Sequence, residues 1–357
     1  GANIGSSGNP IITSSAGLTI DGGGGIAGAN NAFVASTGAI VLNSIRMGIG
    51  GAFVLSAGGN ITETAFVGAD AIGLFTAGAA FDIGSTLDPF NIGKSPCSPA
   101  AQAILSISSA CGLGAGASNA FLQACCQGVQ LGSTVPGTSR VRVNNTFALN
   151  VAGNVISGGT GLDLQANVAC FTGVGYDLGA AGAGRLTTTL GTLTTAGANN
   201  VFITDTDGIS LANAVAAGTF DLIAGGNIVG AGGGPHVTAP TARLDAGANL
   251  IGNSAATPLG TSVGTLSIGN GGLNGATSAF ISNNVNLTLA EAKASTLLNF
   301  AINGNINGNV EAAGLVDAAA PTINIGANAI GNTTLLDTNA TTLMNLQSLL
   351  AGGIALS

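Results

Sequence analysis

Charged side chains are scarce in this sequence: seven Lys and Arg and fifteen Asp and Glu account for 6% of its 357 residues. A globular enzyme usually carries about a quarter. The net charge is −8, and the tightest basic group is the pair Arg140 and Arg142. That excludes the concentrated positive surface that phosphate backbones require, so no nucleic-acid partner is expected. Gly and Asn interrupt every apolar run before it reaches the roughly 18 residues needed for a bilayer-spanning helix, so no membrane span is expected. Trp is absent, Tyr176 is the only tyrosine and His236 the only histidine. The glycines from Gly22 to Gly25 are followed by no Lys-Ser/Thr, which excludes a Walker-type phosphate loop. The chain opens at Gly1 without Met or a signal-like segment, so it reads as a processed mature chain or an excised piece.

Low charge does not imply disorder here. Disordered chains combine high charge with low hydrophobicity, whereas this one has a mean hydropathy of +0.54. Glycine supplies 60 residues, and small and β-branched side chains fill most of the rest. Short apolar runs bounded by Gly, Asn and Ser, such as Leu18–Ile20, Ala39–Leu42 and Ala52–Leu55, read as strands separated by turns.

One skeleton recurs. Phe220, Leu222, Gly226, Asn227 and Ile228 are matched by Phe53, Leu55, Gly59, Asn60 and Ile61, and by Phe147, Leu149, Gly153, Asn154 and Val155. A looser copy runs through Phe300, Ile302, Gly304, Asn305 and Ile306. Phe and Leu two apart share one face of a strand, and the Gly-Asn pair is expected to turn the chain through positive φ before the next strand starts. A second unit, Gly28–Val34, is echoed by Gly197–Ile203 and Gly275–Ile281. Steps from Phe33 to Phe53, Phe202 to Phe220 and Phe280 to Phe300 are 20, 18 and 20 residues. A step of about 20 is one coil of a three-sided parallel β-helix, so the fold class expected is all-β, a β-solenoid.

Residues 94–140 depart from the pattern, dividing the chain into coils at 1–93, an insert, and coils with a cap at 141–357. Ser98-Pro99 before Ala100–Leu105 reads as an N-cap with proline at the first helical position, with Gly112 closing the helix. A second helix is expected from Ser118 or Asn119 to about Gly128. This helical hairpin holds Cys97, Cys111, Cys125 and Cys126, and would bring Cys97 near Cys125 and Cys126. A disulfide there implies an oxidising compartment. Cys170 makes the total odd, leaving at least one thiol over. Zinc is the weaker alternative, because no Cys-x-x-Cys spacing occurs and His236 is far away in sequence. Leu289–Ala294 and Thr342–Leu350 also have helical spacing, the latter as a cap over the solenoid end.

Units such as Phe220–Ile228 and Val201–Asp205 resemble the repeats of filamentous-haemagglutinin-like secreted proteins. The resemblance implies a right-handed parallel β-helix exported to the bacterial surface, a family that often serves in adhesion. The scarcity of charge and the cysteine-bearing insert depart from it.

Catalytic chemistry on such a scaffold needs converging acids, a base, or Ca²⁺ with an Arg or Lys. The acids here are thinly spread. Asp205-Thr206-Asp207-Gly208 resembles the opening of a calcium loop, but Ala216 stands where its twelfth-position acid belongs, so solvated turn acids are the plainer reading. His236 follows glycines and Pro235 in a loop, and Arg185 and Arg243 read as surface or turn residues. Sequons at Asn60, Asn144, Asn286, Asn332 and Asn339 matter only if the chain is secreted. No cofactor is expected. The sequence therefore points to a non-enzymatic extracellular structural protein whose partner is another copy of itself. A surface adhesin for glycan or another cell is the alternative, and a polysaccharide lyase the second.

Overall fold

The computed structural model describes residues 2–6, 8–13, 17–20, 29–46, 52–64, 67–68, 72–92, 103–108, 115–124, 128–132, 140–159, 161–270, 273–308, 317–331, 333–349 and 353–356. They are nearly all β-strand and turn, and the one helical segment among them is a single 3₁₀ turn at Gly182–Gly184. The chain forms two compact units, residues 1–188 and 189–357. Each is a stack of parallel coils, with one short antiparallel exception at Gly269–Asn274.

Columns of inward side chains run through each stack. In the first unit Ile11, Val34, Leu55, Phe75, Ile107, Val141 and Leu164 lie on successive coils, each paired with the next. In the second, Ile209, Ile228, Ile251, Ala279, Leu298, Ile323 and Met344 do the same. Strands show the matching alternation of burial, as in Ala52–Ala57 and Ala120–Ala124. The β-solenoid expected from the repeats is the fold observed.

The coil length is less regular than the expected 20. Asn200 meets Thr219 on the next coil 19 positions on, Asn60 meets Asp82 after 22, and Asp82 meets Asn119 after 37. The described strands on either side stay paired across these unequal lengths, as Ile61, Ile83 and Ala120 do. The expected Phe-to-Phe steps are also out by one. Phe33, Phe202 and Phe280 pair with Val54, Asp221 and Asn299 and sit half-buried on the outer face. Phe53, Phe220 and Phe300 point inward and are buried. Because side chains alternate every residue, a slip of one exchanges inside for outside.

Three of the inward phenylalanines have smaller neighbours on the adjoining coils, whereas Phe300 lies between Ile281 and Ile325. Phe53 lies between Ala32 and Gly73, Phe147 between Ala120 and Ala169, and Phe220 between Val201 and Ala242. Coils about 4.8 Å apart leave no room for a large ring directly above another at the same position. Rings meet instead at offset positions, edge to face, as Phe147 and Phe171 do at 5.8 Å.

The helical hairpin expected within 94–140 is not what the described residues form. Ala103–Ile107 is a strand between Ile72–Phe75 and Val129–Leu131, and Ala120–Ala124 is a strand between Phe90–Ile92 and Phe147–Val151. Leu289–Ala294 lies inside the strand Leu287–Ile302, and Thr342–Ser348 inside Thr338–Ser348. Local helix propensity is a fraction of a kcal/mol per residue, and a ladder on one or both sides overrides it.

The repeat glycines also act differently from expectation. Gly59 and Gly226 are not among the positive-φ residues. They lie against the preceding coil: a Cβ on Gly59 would stand 2.7 Å from the Ala39 nitrogen, and one on Gly226 2.7 Å from the Gly208 nitrogen. The corner demands close backbone approach, which only a residue without a side chain permits.

Candidate functional site

The repeat-defining asparagines are the most regular polar feature of the molecule. Asn60, Asn154 and Asn227 accept at their main-chain oxygens from the backbone N–H of Ile40, Val129 and Ile209 on the preceding coil. Their side-chain Oδ1 atoms accept from Asp82, Asp177 and Leu250 on the following coil, at 3.0, 2.9 and 2.9 Å. Each asparagine thus joins three coils. Asn31, Asn119, Asn200, Asn286 and Asn307 make the same forward bond. Replacing Asn227 with Ala is expected to cost about 1 kcal/mol by leaving the Leu250 N–H without its acceptor. Asn227→Asp keeps an acceptor oxygen and is expected to lose less than half of that. Urea midpoints of the two variants check the difference, and equal losses would refute the role of Oδ1.

The acids divide between this work and the solvent. Asp205 ends the strand Leu186–Asp205 and is buried, its Oδ2 accepting from the Leu190 N–H at 2.9 Å and its Oδ1 from that of Asp207 at 3.3 Å. The Asp207 side chain is exposed. The two expected calcium ligands are therefore in different surroundings, one folded against its own coil and one in solvent. Among the described residues no group of three or more His, Cys, Asp and Glu side chains is placed to hold a metal ion. Cys97, Cys111, Cys125 and Cys126 lie outside the described residues. Cys170, on the strand Leu164–Leu178, is a half-buried free thiol, and burial pushes its pKa up.

Two acids of the first unit are buried with partial compensation. Asp163 accepts from the Thr187 N–H at Oδ2, and from the Ser157 hydroxyl and Gly158 N–H at Oδ1. Burial raises its pKa against those bonds. Glu63 accepts at Oε1 from the Asn91 N–H at 2.9 Å and from the Asn91 side-chain amide. Its Oε2 is buried with no partner among the described residues. Burial, with Asp88 nearby, outweighs the Asn91 bonds and pushes the carboxyl up to about 7. Arg142 is lowered by burial and by the neighbouring charge of Arg140.

The second unit gathers its only two basic residues on the outer face of one ladder, where Asp221, Arg243, Ser267 and Glu291 occupy successive rungs. Arg243 meets Asp221 at 3.3 Å and Asp245 at 4.0 Å, and donates from Nε to the Gly269 carbonyl at 3.2 Å. Lys293 meets Glu291 at 2.8 Å. Arg243 is thus a strand residue held by acids, not a turn residue. The signal was present in the spacing: Asp221 and Arg243 are 22 positions apart, one coil, and Glu291 and Lys293 are two apart on one face.

His236 is buried, not a free loop side chain. Its Nδ1 accepts from the Gly260 N–H at 2.9 Å, and its Nε2 faces the Gly232 carbonyl at 3.3 Å. The ring packs flat on Gly230, where a Cβ would stand 2.2 Å from it. It fastens the Ala231–Pro235 corner to the adjoining coil.

Comparison with protein-family models, with curated proteins and with solved structures finds no match. The class that can be stated is therefore the one the fold defines, a parallel β-solenoid.

Proposed function

We propose that this chain is a non-enzymatic structural protein of the cell exterior, a right-handed β-solenoid subunit that assembles with copies of itself into a fibre, sheath or surface layer. The observation that carries this reading is where the polar groups are used. The buried acids, the histidine and the repeated asparagines accept bonds that fasten one coil or corner to the next, and the basic residues of the second unit are held by neighbouring acids. Such a molecule devotes its polar chemistry to rigidity. Low charge adds little repulsion between subunits, and small side chains allow flat surfaces to approach closely. The resemblance of its units to filamentous-haemagglutinin-like repeats agrees with export.

A second reading, adhesion to glycan, is favoured by a shallow groove in the second unit lined by Ser295, Pro321, Asn339 and Thr341 with alanines between them. Hydroxyl and amide groups suit a sugar, although the groove has no aromatic floor.

Negative-stain microscopy of the purified chain tests the first reading. Ordered filaments or sheets are expected in non-reducing buffer, and their loss on reduction would assign part of the contact to a cysteine. Dispersed single particles at high concentration would overturn self-assembly in favour of adhesion.

A further inference from the structure

Within the first unit the strands Ala120–Ala124, Thr146–Val151 and Leu164–Leu178 lie side by side on three successive coils. Their alternation of burial turns Phe121, Ala148 and Cys170 outward as one column, and Gln123, Asn150 and Thr172 outward as the next. Thr146, also outward, flanks Ala148 on its other side. Phe121 is half-buried, and beside it on the next coil stands the single methyl group of Ala148. The face is thus a shallow shelf over Ala148 and Cys170, with an aromatic ring at its head and amides along one side.

These amides depart from the use made of the others. The corner asparagines spend Oδ1 on a backbone N–H of the following coil. Asn91, the rung before Gln123 in the same column, is bonded to Glu63. Gln123 and Asn150 make no side-chain hydrogen bond among the described residues, either to each other or to another group. Each therefore presents two donors and an acceptor oxygen to solvent, on rungs about 4.8 Å apart.

A sugar ring combines an apolar C–H face with a rim of hydroxyls, which matches a ring and a methyl floor bordered by amides. A purely aliphatic ligand would leave the amides unpaired. An acidic one would meet no base, since Ala120–Ala124, Thr146–Val151 and residues 168–172 carry no charge. We propose that this face binds a neutral glycan chain laid across the coils. One sugar ring sits over Ala148 with its C–H face toward Phe121, and its hydroxyls bond to Gln123, Asn150 and Thr146. The site goes beyond the self-assembly reading, because a single subunit carries all of it.

Titration calorimetry with cellohexaose, mannohexaose and chitohexaose as neutral probes, and hexagalacturonate as the charged one, tests the site. Saturable binding of at least one neutral probe is expected, with hexagalacturonate weaker. Phe121→Ala is expected to weaken binding about tenfold. Ala148→Leu fills the shelf and is expected to abolish it, and because both positions face outward, melting temperatures close to that of the parent are expected. The parent chain supplies a measurement that needs no variant: the bound probe is expected to slow alkylation of Cys170 by iodoacetamide, followed by mass spectrometry of its peptide. Absence of binding by every neutral probe, or binding that leaves Cys170 alkylation unchanged, would overturn the site. So would tighter binding of hexagalacturonate. Binding that survives Ala148→Leu but is lost in Asn339→Ala would place the glycan in the groove of the second unit instead.

Discussion

Phe220→Ala is expected to destabilise the unit of residues 189–357 by about 3–5 kcal/mol, the usual cost of truncating a fully buried ring. The site is poorly able to collapse. Phe220 has Val201 on one coil and Ala242 on the other, and the spacing of those coils is fixed by backbone pairing on both sides. Neither small neighbour reaches into the space the ring leaves. The same geometry supplies a second arm. Adding Ala242→Phe to Phe220→Ala moves the ring one coil along the same column, and is expected to recover at least about 1 kcal/mol. Ala242→Phe alone is expected to destabilise by about 1–3 kcal/mol, because two rings would then compete for adjoining rungs. Chemical denaturation of the four members of this cycle checks the scheme. Additive losses would refute the idea that large and small residues are matched between coils.

Glu63→Gln is expected to stabilise the unit of residues 1–188 by about 2 kcal/mol at pH 8 and to flatten its pH dependence. The carboxyl is pushed from 4.5 when unfolded to about 7 when folded. Below pH 4.5 it is protonated in both states, and its favourable contribution is complete. Between 4.5 and 7 the unfolded chain releases the proton while the folded chain keeps it, so stability falls as pH rises. Above 7 the loss is complete, because the folded state then holds a buried carboxylate whose Oε2 has no partner among the described residues. The full shift corresponds to about 3 kcal/mol, and water reaching the site reduces it. Asp163, raised in the same direction, adds to the trend. Glutamine retains the acceptor for Asn91 and carries no charge. Melting curves from pH 4 to 8 decide the matter: a parent chain that gains stability through this window, or a glutamine variant with an unchanged profile, would contradict the assignment.

Much of the fold was legible because a few positions carry it. Phe53, Phe147 and Phe220, each with an apolar partner two residues on and a Gly-Asn corner after it, are the inward pair and the turn of real coils. The asparagines are identifiable as turn residues, but not as the joints between three coils, since their forward bonds connect residues 19 to 27 positions apart with no constant period. The register differs by one from the Phe-to-Phe steps at Phe33, Phe202 and Phe280 because an aromatic residue is as acceptable outside a strand as inside it. Ala120–Ala124 carries a local helical signal because Ala, Leu and Gln favour helices. Its true state is set by Phe90–Ile92 and Phe147–Val151, strands that lie far along the chain. The buried role of Glu63 left no mark in composition at all, since it depends on where Asn91 and Asp88 come to lie.

The unequal coils have a consequence for how such a chain tolerates gain or loss of residues in descent. A coil of 19 positions and one of 37 serve equally well, because the described strands that flank the difference stay paired in both. An insertion at a corner of any size that leaves the flanking strands paired leaves every neighbouring rung where it was. A single residue added within a paired strand turns the side chains beyond it from core to surface unless a bulge absorbs it, as one does between Leu289 and Glu291, beyond which Ile268 and Ala292 still face the core together. Whether a length change is harmless is therefore decided by its position and hardly at all by its size.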